Sequence, residues 1–223
     1  MSSRELANDY IESVAKKYAP KTKIVPKQSS KLMKFLNFFV RIFNKSFMTG
    51  YVTTIGSTIY VPDGFFDRDP AWSLRTIAHE VIHVRQKKRY PFFLYELFYG
   101  FPQILFPVAF ICLWLSFGFW WSLPSLILLA PLPAYGRLKL EIQAYRTNYI
   151  FLKYSFGWKD EEIFAFNSEH VGKQMTGSGY YFTWPFMKHV EKLINDTSFL
   201  NDPVDDMYSE ILQFLYDRDL VII

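Results

Sequence analysis

The chain has 223 residues, of which half are apolar and a fifth aromatic, and its formal net charge is +4. This length corresponds to one domain, or to one domain with a small appendage. So modest a charge does not favour a nucleic-acid-binding protein, and we expect no nucleic acid as a partner. The single cysteine, Cys112, lies within an apolar run and has no second cysteine to pair with, so nothing indicates an oxidising compartment.

Two helices are predicted in the N-terminal region, residues 1–47. Apolar residues recur at helical spacing over residues 4–18, and this amphipathic helix should end near Pro20. After a polar, Lys-rich connector at 21–30, residues 31–45 combine bulky aromatic side chains with four cations and no acid. That combination is typical of a helix lying in a membrane interface, and it fits a core-facing helix with a basic outer side equally well.

A β-hairpin is predicted between Met48 and Pro62. β-branched and aromatic residues dominate this stretch, and Gly56-Ser57 at its centre can form a tight turn. A loop follows, and the next helix should run from about Ala71 to Lys88.

That helix carries the motif on which the functional interpretation depends. His79-Glu80-Val81-Ile82-His83 has the form H-E-x-x-H within an apolar, helix-forming run. Because residues four apart lie on the same helix face, His79 and His83 can direct two imidazoles at one ion. Glu80 lies one step round the helix, near enough to reach a water molecule on that ion. The motif therefore predicts a zinc-dependent hydrolase with Glu80 as the general base.

A catalytic zinc ion generally has a third protein ligand, which must come from elsewhere because residues 84–94 contain no His. Four side chains are candidates: Glu96, Glu141, His170 and His189. Glu96 marks the border of the apolar block that follows it. Glu141 is favoured because the small side chain of Ala144, one turn later, would let that helix pack closely against the metal helix.

Residues 97–136 form a block of forty consecutive residues without Asp, Glu, Lys, Arg or His. One membrane-spanning helix needs about twenty apolar residues, so this block has the length of a hairpin that crosses and returns. Gly118 to Pro124 should form the turn, and prolines in the two legs leave a shallow re-entrant hairpin open. A buried core hairpin is the alternative, but so short a chain could hardly cover forty apolar residues on every side.

The flanks of this block predict its orientation. Cations precede it between Arg85 and Arg89 and follow it at Arg137 and Lys139. By the positive-inside tendency, both ends of the block should face the cytoplasm.

The last region, residues 137–223, reads as helical and soluble. Helices are predicted at 137–149 and 160–173, from a Thr183 cap to Asn195, and from an Asp202 cap to Arg218. Residues 175–181 form a predicted loop with aromatic residues at its tip.

His79-Glu80-x-x-His83 followed by Glu141-x-x-Ala144 resembles the gluzincin metallopeptidases. With a hydrophobic hairpin between the two motifs, the chain is most similar to the M48 family of HtpX-type integral membrane proteases. The resemblance covers about residues 48–150. It implies a zincin-like metallopeptidase domain, mainly α-helical with a small β-hairpin in 48–96, interrupted by the membrane-inserted helical hairpin of 97–136. It also implies that His79, His83 and Glu141 bind zinc and that Glu80 is the general base.

The sequence departs from the family's pattern at two places. Tyr145 stands where the family commonly has an Asp that supports a zinc-bound His, and such partners orient the ligands. The basic, aromatic stretch 31–45 stands where HtpX-type proteases have transmembrane segments. The chain is therefore expected to be a divergent relative.

The sequence as a whole predicts a zinc metalloendopeptidase at a lipid bilayer, with its catalytic part on the cytoplasmic side and a peptide or membrane protein as substrate. Support for a zinc ligand, or a donor to the oxyanion, could come from Tyr145, His170, Tyr180 or Tyr181. One alternative is a non-proteolytic zinc-binding membrane protein of the same fold, such as a scaffold or a lipid-acting hydrolase. Another is a membrane adaptor in which the H-E-x-x-H pattern is accidental.

Overall fold

The computed structural model describes residues 1–41, 44–91, 93–129, 132–177, 183–201 and 206–222. These residues are mainly helical with one small sheet, as predicted. The helices are α1 (Ser3–Tyr10), α2 (Lys16–Tyr18), α3 (Lys31–Val40), α4 (Pro70–Arg89), α5 (Leu94–Gly100), α6 (Phe106–Phe117), α7 (Phe119–Ser122), α8 (Tyr135–Ile150), α9 (Asp160–Phe166), α10 (Lys173–Thr176), α11 (Met187–Ile194) and α12 (Asp206–Asp217). The strands are β1 (Lys23–Pro26), β2 (Thr53–Ile55) and β3 (Thr58–Val61).

The contacts divide the chain into two compact units. Unit 1 contains Met1–Arg89, Arg146–Trp158 and Ser198–Ile223, and unit 2 contains Tyr90–Tyr145 and Lys159–Thr197. The helix α8 is continuous in the chain, so its residues contribute to both units.

The sheet of unit 1 has the strand order β1-β3-β2. β2 and β3 are antiparallel and are joined at Gly56-Ser57, where Gly56 has a φ of 63°. This confirms the predicted hairpin. β1 pairs in parallel with β3, although the sequence places it in a polar connector. That prediction is wrong because two apolar residues, Ile24 and Val25, are too few to show the alternation of a strand.

The helix α4 begins one residue before its predicted start. Its cap is Asp69, whose Oδ1 accepts hydrogen bonds from the backbone N–H groups of Ala71 at 2.9 Å and Trp72 at 3.1 Å. Pro70, which has no N–H to satisfy, occupies the first helical position. The helix then runs without a break through the motif.

One face of α4 packs against α1, β2 and β3 of the same unit. Leu74, Ile77, Ala78 and Val81 on α4 are fully buried there. Burial of these side chains fixes the rotation of α4 about its axis, and therefore the directions in which His79 and Glu80 point.

The helix α3 starts where the sequence predicts and is capped by Ser30, whose hydroxyl accepts from the backbone N–H of Met33 at 3.2 Å. It ends at Val40, before its predicted end at 45; residues 42 and 43 lie outside the described ranges. Met33 is its buried residue, whereas Phe35 and Phe38 are 62% and 67% exposed. The helix therefore directs Met33 into the core and leaves these two phenyl rings outside it.

The core of unit 2 lies between α8 and the helical segments that follow residue 159. Leu138 and Ile142 of α8 are buried in a cluster with residues of the π-helical turn Asn167–Gly172, of α10 and of α11: Val171, Met175, Val190 and Ile194. This packing holds the first part of α8, which carries Glu141.

The start of α8 lies unusually close to α5 in the same unit. A Cβ atom on Gly136 would lie 2.1 Å from the carbonyl oxygen of Phe98, so this approach requires glycine. Beside it, Arg137 Nε donates to the carbonyl oxygen of Tyr99 at 3.1 Å.

The apolar block folds into short helices. Gly118, whose φ is 92°, separates α6 from α7, and the ring centroids of Phe110 and Phe119 lie 6.2 Å apart across it. Among the described residues, no single helix has the length and apolar character to cross a membrane. α5 and the segment Gln103–Phe117 together have the required length and apolar character, but the two meet at an angle of 112°.

The C-terminal part differs from prediction in one helix start. α11 begins at Met187, not after a Thr183 cap. Thr183 is held instead by long-range pairing, because its carbonyl oxygen accepts from the Ala134 N–H at 2.8 Å and Trp184 N–H donates to Met175 O at 3.1 Å. The predicted Asp202 cap lies outside the described residues, and α12 ends one residue before the predicted Arg218.

Candidate metal centre

Two potential ligands lie one turn apart on α4. His79 and His83 are 7% and 8% exposed, and their ring centroids are 5.0 Å apart. The four-residue spacing therefore places both imidazoles on one face of the helix, as predicted.

Gln86 orients one of these rings. Its Oε1 lies 2.9 Å from Nδ1 of His83. Because an amide oxygen can only accept a hydrogen bond, this contact favours the tautomer of His83 that carries its proton on Nδ1. The sequence interpretation missed this partner, although Gln86 follows His83 by three residues and so shares its helix face.

Glu80 is also held in place. The hydroxyl of Thr54 on β2 donates a hydrogen bond to Oε2 of Glu80 at 2.6 Å. This contact fixes the position of one carboxylate oxygen and thereby sets the direction in which the other oxygen points. No sequence pattern predicts the contact, because it depends on how β2 packs against α4.

A buried lysine lies in the same part of unit 1. Lys27 is fully buried, and its Nζ donates to the carbonyl oxygen of Phe47 at 2.5 Å and lies 4.3 Å from the centroid of the Phe47 ring. Burial lowers the pKa of Lys27 to about 8, and the negative charge of Glu80 opposes this change. The two groups are thus electrostatically coupled.

The third predicted ligand belongs to unit 2. Glu141 on α8 is 1% exposed, and its Oε1 accepts a hydrogen bond from the hydroxyl of Tyr99 on α5 at 2.5 Å. Ala144, one turn later, is fully buried. A carboxylate so deeply buried requires compensation by a hydrogen bond, a cation or a metal ion.

The three predicted ligands, His79 and His83 of unit 1 and Glu141 of unit 2, are all buried side chains. Two imidazoles and one carboxylate are the protein ligands of one class of catalytic zinc site. The donor chemistry therefore fits zinc, with Gln86 and Tyr99 as hydrogen-bonding partners of two of the three ligands.

The other predicted candidates have different surroundings. Tyr145 packs against the core of unit 2 and donates to Gln174 Oε1 at 2.9 Å. His170 is exposed and stacks on Phe166 at 4.2 Å. His189 Nδ1 lies 3.0 Å from Nε1 of Trp184, which donates to it. Tyr180 and Tyr181 lie outside the described residues.

Comparison with protein-family models, with curated proteins and with solved structures gives no match for the chain. The resemblance to gluzincin metallopeptidases consequently depends on the residues of the motifs alone.

Proposed function

We propose that the chain is a membrane-associated zinc metalloendopeptidase of the gluzincin type. The observation that carries the proposal is the arrangement on α4. Two buried imidazoles share a helix face, one of them is oriented by Gln86, and the adjacent Glu80 is oriented by Thr54.

His79, His83 and Glu141 would hold the metal through two ring nitrogens and a carboxylate oxygen. Bound zinc supplies a Lewis acid that acidifies a water molecule and polarises the scissile carbonyl. The burial of Glu141 and its hydrogen bond from Tyr99 support its role as the third ligand.

Glu80 would act as the general base. Its carboxylate takes the proton of the attacking water and returns it to the leaving amine. Since Oε2 accepts the hydrogen bond from Thr54, Oε1 is the oxygen that receives this proton. In this proposal Thr54 thus determines which carboxylate oxygen of Glu80 accepts the proton.

A substrate peptide would bind in extended form along β2. This strand is at an edge of the sheet, so its outer backbone groups can pair with an added strand. Because Thr54 of β2 contacts Glu80, a peptide paired with β2 would pass beside the general base.

The apolar block would insert in the membrane as a hairpin within a zincin-like domain. Its side chains are widely exposed: Val108 is 62%, Leu115 80%, Trp120 78% and Trp121 68% exposed. So large an apolar surface favours a membrane or protein partner. The bend between α5 and the segment before Gly118 suits a re-entrant insertion, and the basic flanks would place both ends in the cytoplasm.

The test of the catalytic proposal is the substitution Glu80→Gln. Gln keeps the size of the side chain but cannot accept a proton, so cleavage of casein in detergent should fall at least about 100-fold while zinc content stays unchanged. Activity that survives this change would contradict the mechanism. Stoichiometric zinc without any cleavage by the unaltered chain would favour the non-proteolytic zinc-binding protein.

The third ligand is tested by comparing Glu141→Ala with Glu96→Ala. Both remove a carboxylate from unit 2, and both residues were candidates. Glu141→Ala should abolish stoichiometric zinc binding, measured by elemental analysis of purified protein, whereas Glu96→Ala should retain it. The reverse result would assign the ligand to Glu96.

A further inference from the structure

The face of α3 opposite Met33 is apolar and exposed. Leu32 is 43%, Phe35 62%, Phe38 67% and Phe39 51% exposed. The ring of Phe39 is in edge contact with those of Phe35 and Phe38, at centroid distances of 5.3 and 5.1 Å. These side chains therefore form one continuous patch, and such patches mark interaction surfaces more often than isolated exposed residues do.

Cations share this face. Lys31 and Lys34 are exposed and precede Phe35 and Phe38 by four residues each, so all four side chains lie on the same side of the helix. The surrounding sequence is also basic: residues 20–62 contain seven Lys or Arg residues and no Asp or Glu. We call Lys31, Leu32, Lys34, Phe35, Phe38 and Phe39 the α3 outer face.

We infer that the α3 outer face binds the surface of a bilayer that contains anionic lipid. Its aromatic rings would enter the boundary between headgroups and acyl chains, and the lysine ammonium groups would reach the lipid phosphates. A second copy of the chain fits this face less well, because two such basic surfaces repel each other. The inference rests on the proposed membrane association and adds to it a lipid-selective contact made by unit 1.

A fluorescent probe on the α3 outer face tests this contact in the full chain. The background variant is Cys112→Ser, which removes the native thiol, and Leu32→Cys then carries an environment-sensitive dye. The protein is placed in nanodiscs of phosphatidylcholine alone or of phosphatidylcholine with phosphatidylglycerol. We expect the dye emission to move to shorter wavelength only with phosphatidylglycerol, and the change to be lost at high salt.

Two further pairs of substitutions separate charge from apolar insertion. Lys31→Gln with Lys34→Gln should lower the equilibrium constant for insertion of the helix about 25-fold. Phe35→Ser with Phe38→Ser should abolish insertion in the nanodiscs that contain phosphatidylglycerol. The matched control is Lys188→Gln with Lys192→Gln, which removes two exposed cations four residues apart on α11 and should have no effect.

Three results would overturn the inference: equal emission in both lipids, an equal effect of the α11 control pair, or a lipid-independent change that grows with protein concentration, which would indicate a dimer. Zinc content of the same samples reports on the metal centre separately. If the protein binds zinc but its α3 outer face does not respond to anionic lipid, this inference is rejected and the proposed metal site is not.

Discussion

Gln86 is the hydrogen-bonding partner of His83, one of the proposed zinc ligands. Its amide oxygen can accept a hydrogen bond from Nδ1, so Nε2 is the ring nitrogen that we propose binds zinc. The family to which the motif is similar commonly uses an Asp for such support, and Tyr145 stands at that position in this chain. In this chain the partner of His83 is a residue of the same helix, α4.

Replacing Gln86 by Met should therefore weaken zinc binding about 10- to 100-fold, because the ring of His83 loses the partner that fixes its orientation. Competition with a chromophoric chelator measures the affinity. Gln86→Glu, which retains an acceptor, should restore most of it. Gln213→Met on α12 is the matched control, and an equal loss in that variant would show that the effect is not specific.

Lys27 should make the stability of unit 1 depend on pH. Its folded-state pKa of about 8 is below the ordinary value of 10.5, so between these values the unfolded chain holds a proton that the folded chain has lost. Stability should therefore rise as the pH increases from 8 to 10.5, by at most about 3 kcal/mol. Urea unfolding followed across this range measures the effect.

The variant Lys27→Met has no such group and should show a much flatter dependence over the same range. A rise of equal size in this variant would assign the pH dependence to other residues.

The local part of the candidate metal centre could be predicted from the sequence, and the remote part could not. The positions of His79, Glu80 and His83 follow from helical spacing alone. Thr54 lies 26 residues before Glu80, and its contact depends on the sheet and the helix packing together. Lys27 reads in the sequence as one lysine of a basic connector, and only its burial makes it unusual.

At the level of helices and strands, the close approach of α5 and α8 holds Tyr99 beside Glu141. Gly136 permits this approach, and Arg137 stabilises it by donating a hydrogen bond to the backbone carbonyl oxygen of Tyr99. The hydrogen bond from the Tyr99 hydroxyl to Glu141 thus depends on a residue that has no side chain.

Gly136→Ala should destabilise unit 2 by about 1–3 kcal/mol, because the added methyl group meets backbone atoms that cannot move aside. Thermal unfolding in detergent measures the loss. Gly172→Ala is the control: its methyl group would meet the sulfur of Met187, the flexible end of a side chain, so this variant should be nearly unchanged. Equal losses in the two variants would contradict this explanation.

The helices with strong periodicity were predictable, whereas two elements fixed by distant contacts were not. The start of α4 follows from Asp69 and Pro70, which are local signals. β1 forms because β3 lies beside it, and α11 starts late because the segment around Thr183 pairs with Ala134 and Met175. Tertiary hydrogen bonds override the local preference in both cases.

For the whole molecule, the exposed apolar side chains of residues 97–129 support the membrane proposal, and Trp120 and Trp121 offer a direct test. In nanodiscs of brominated phosphatidylcholine, their fluorescence should be quenched by contact with the bromine atoms. Trp120→Phe with Trp121→Phe should remove much of the quenching. Trp72→Phe should not, because Trp72 stacks on Phe156 within unit 1. Emission unaffected by the brominated lipid would contradict insertion.

The connectivity of the sheet also has a consequence for the order of folding. β2 and β3 are joined by two residues, so their pairing closes a very short loop and should form within microseconds. β1 must close a much longer loop, which contains α3, before Lys23 meets Thr58. The strand that carries Thr54, the partner of the proposed general base Glu80, should therefore be in place before the sheet is complete.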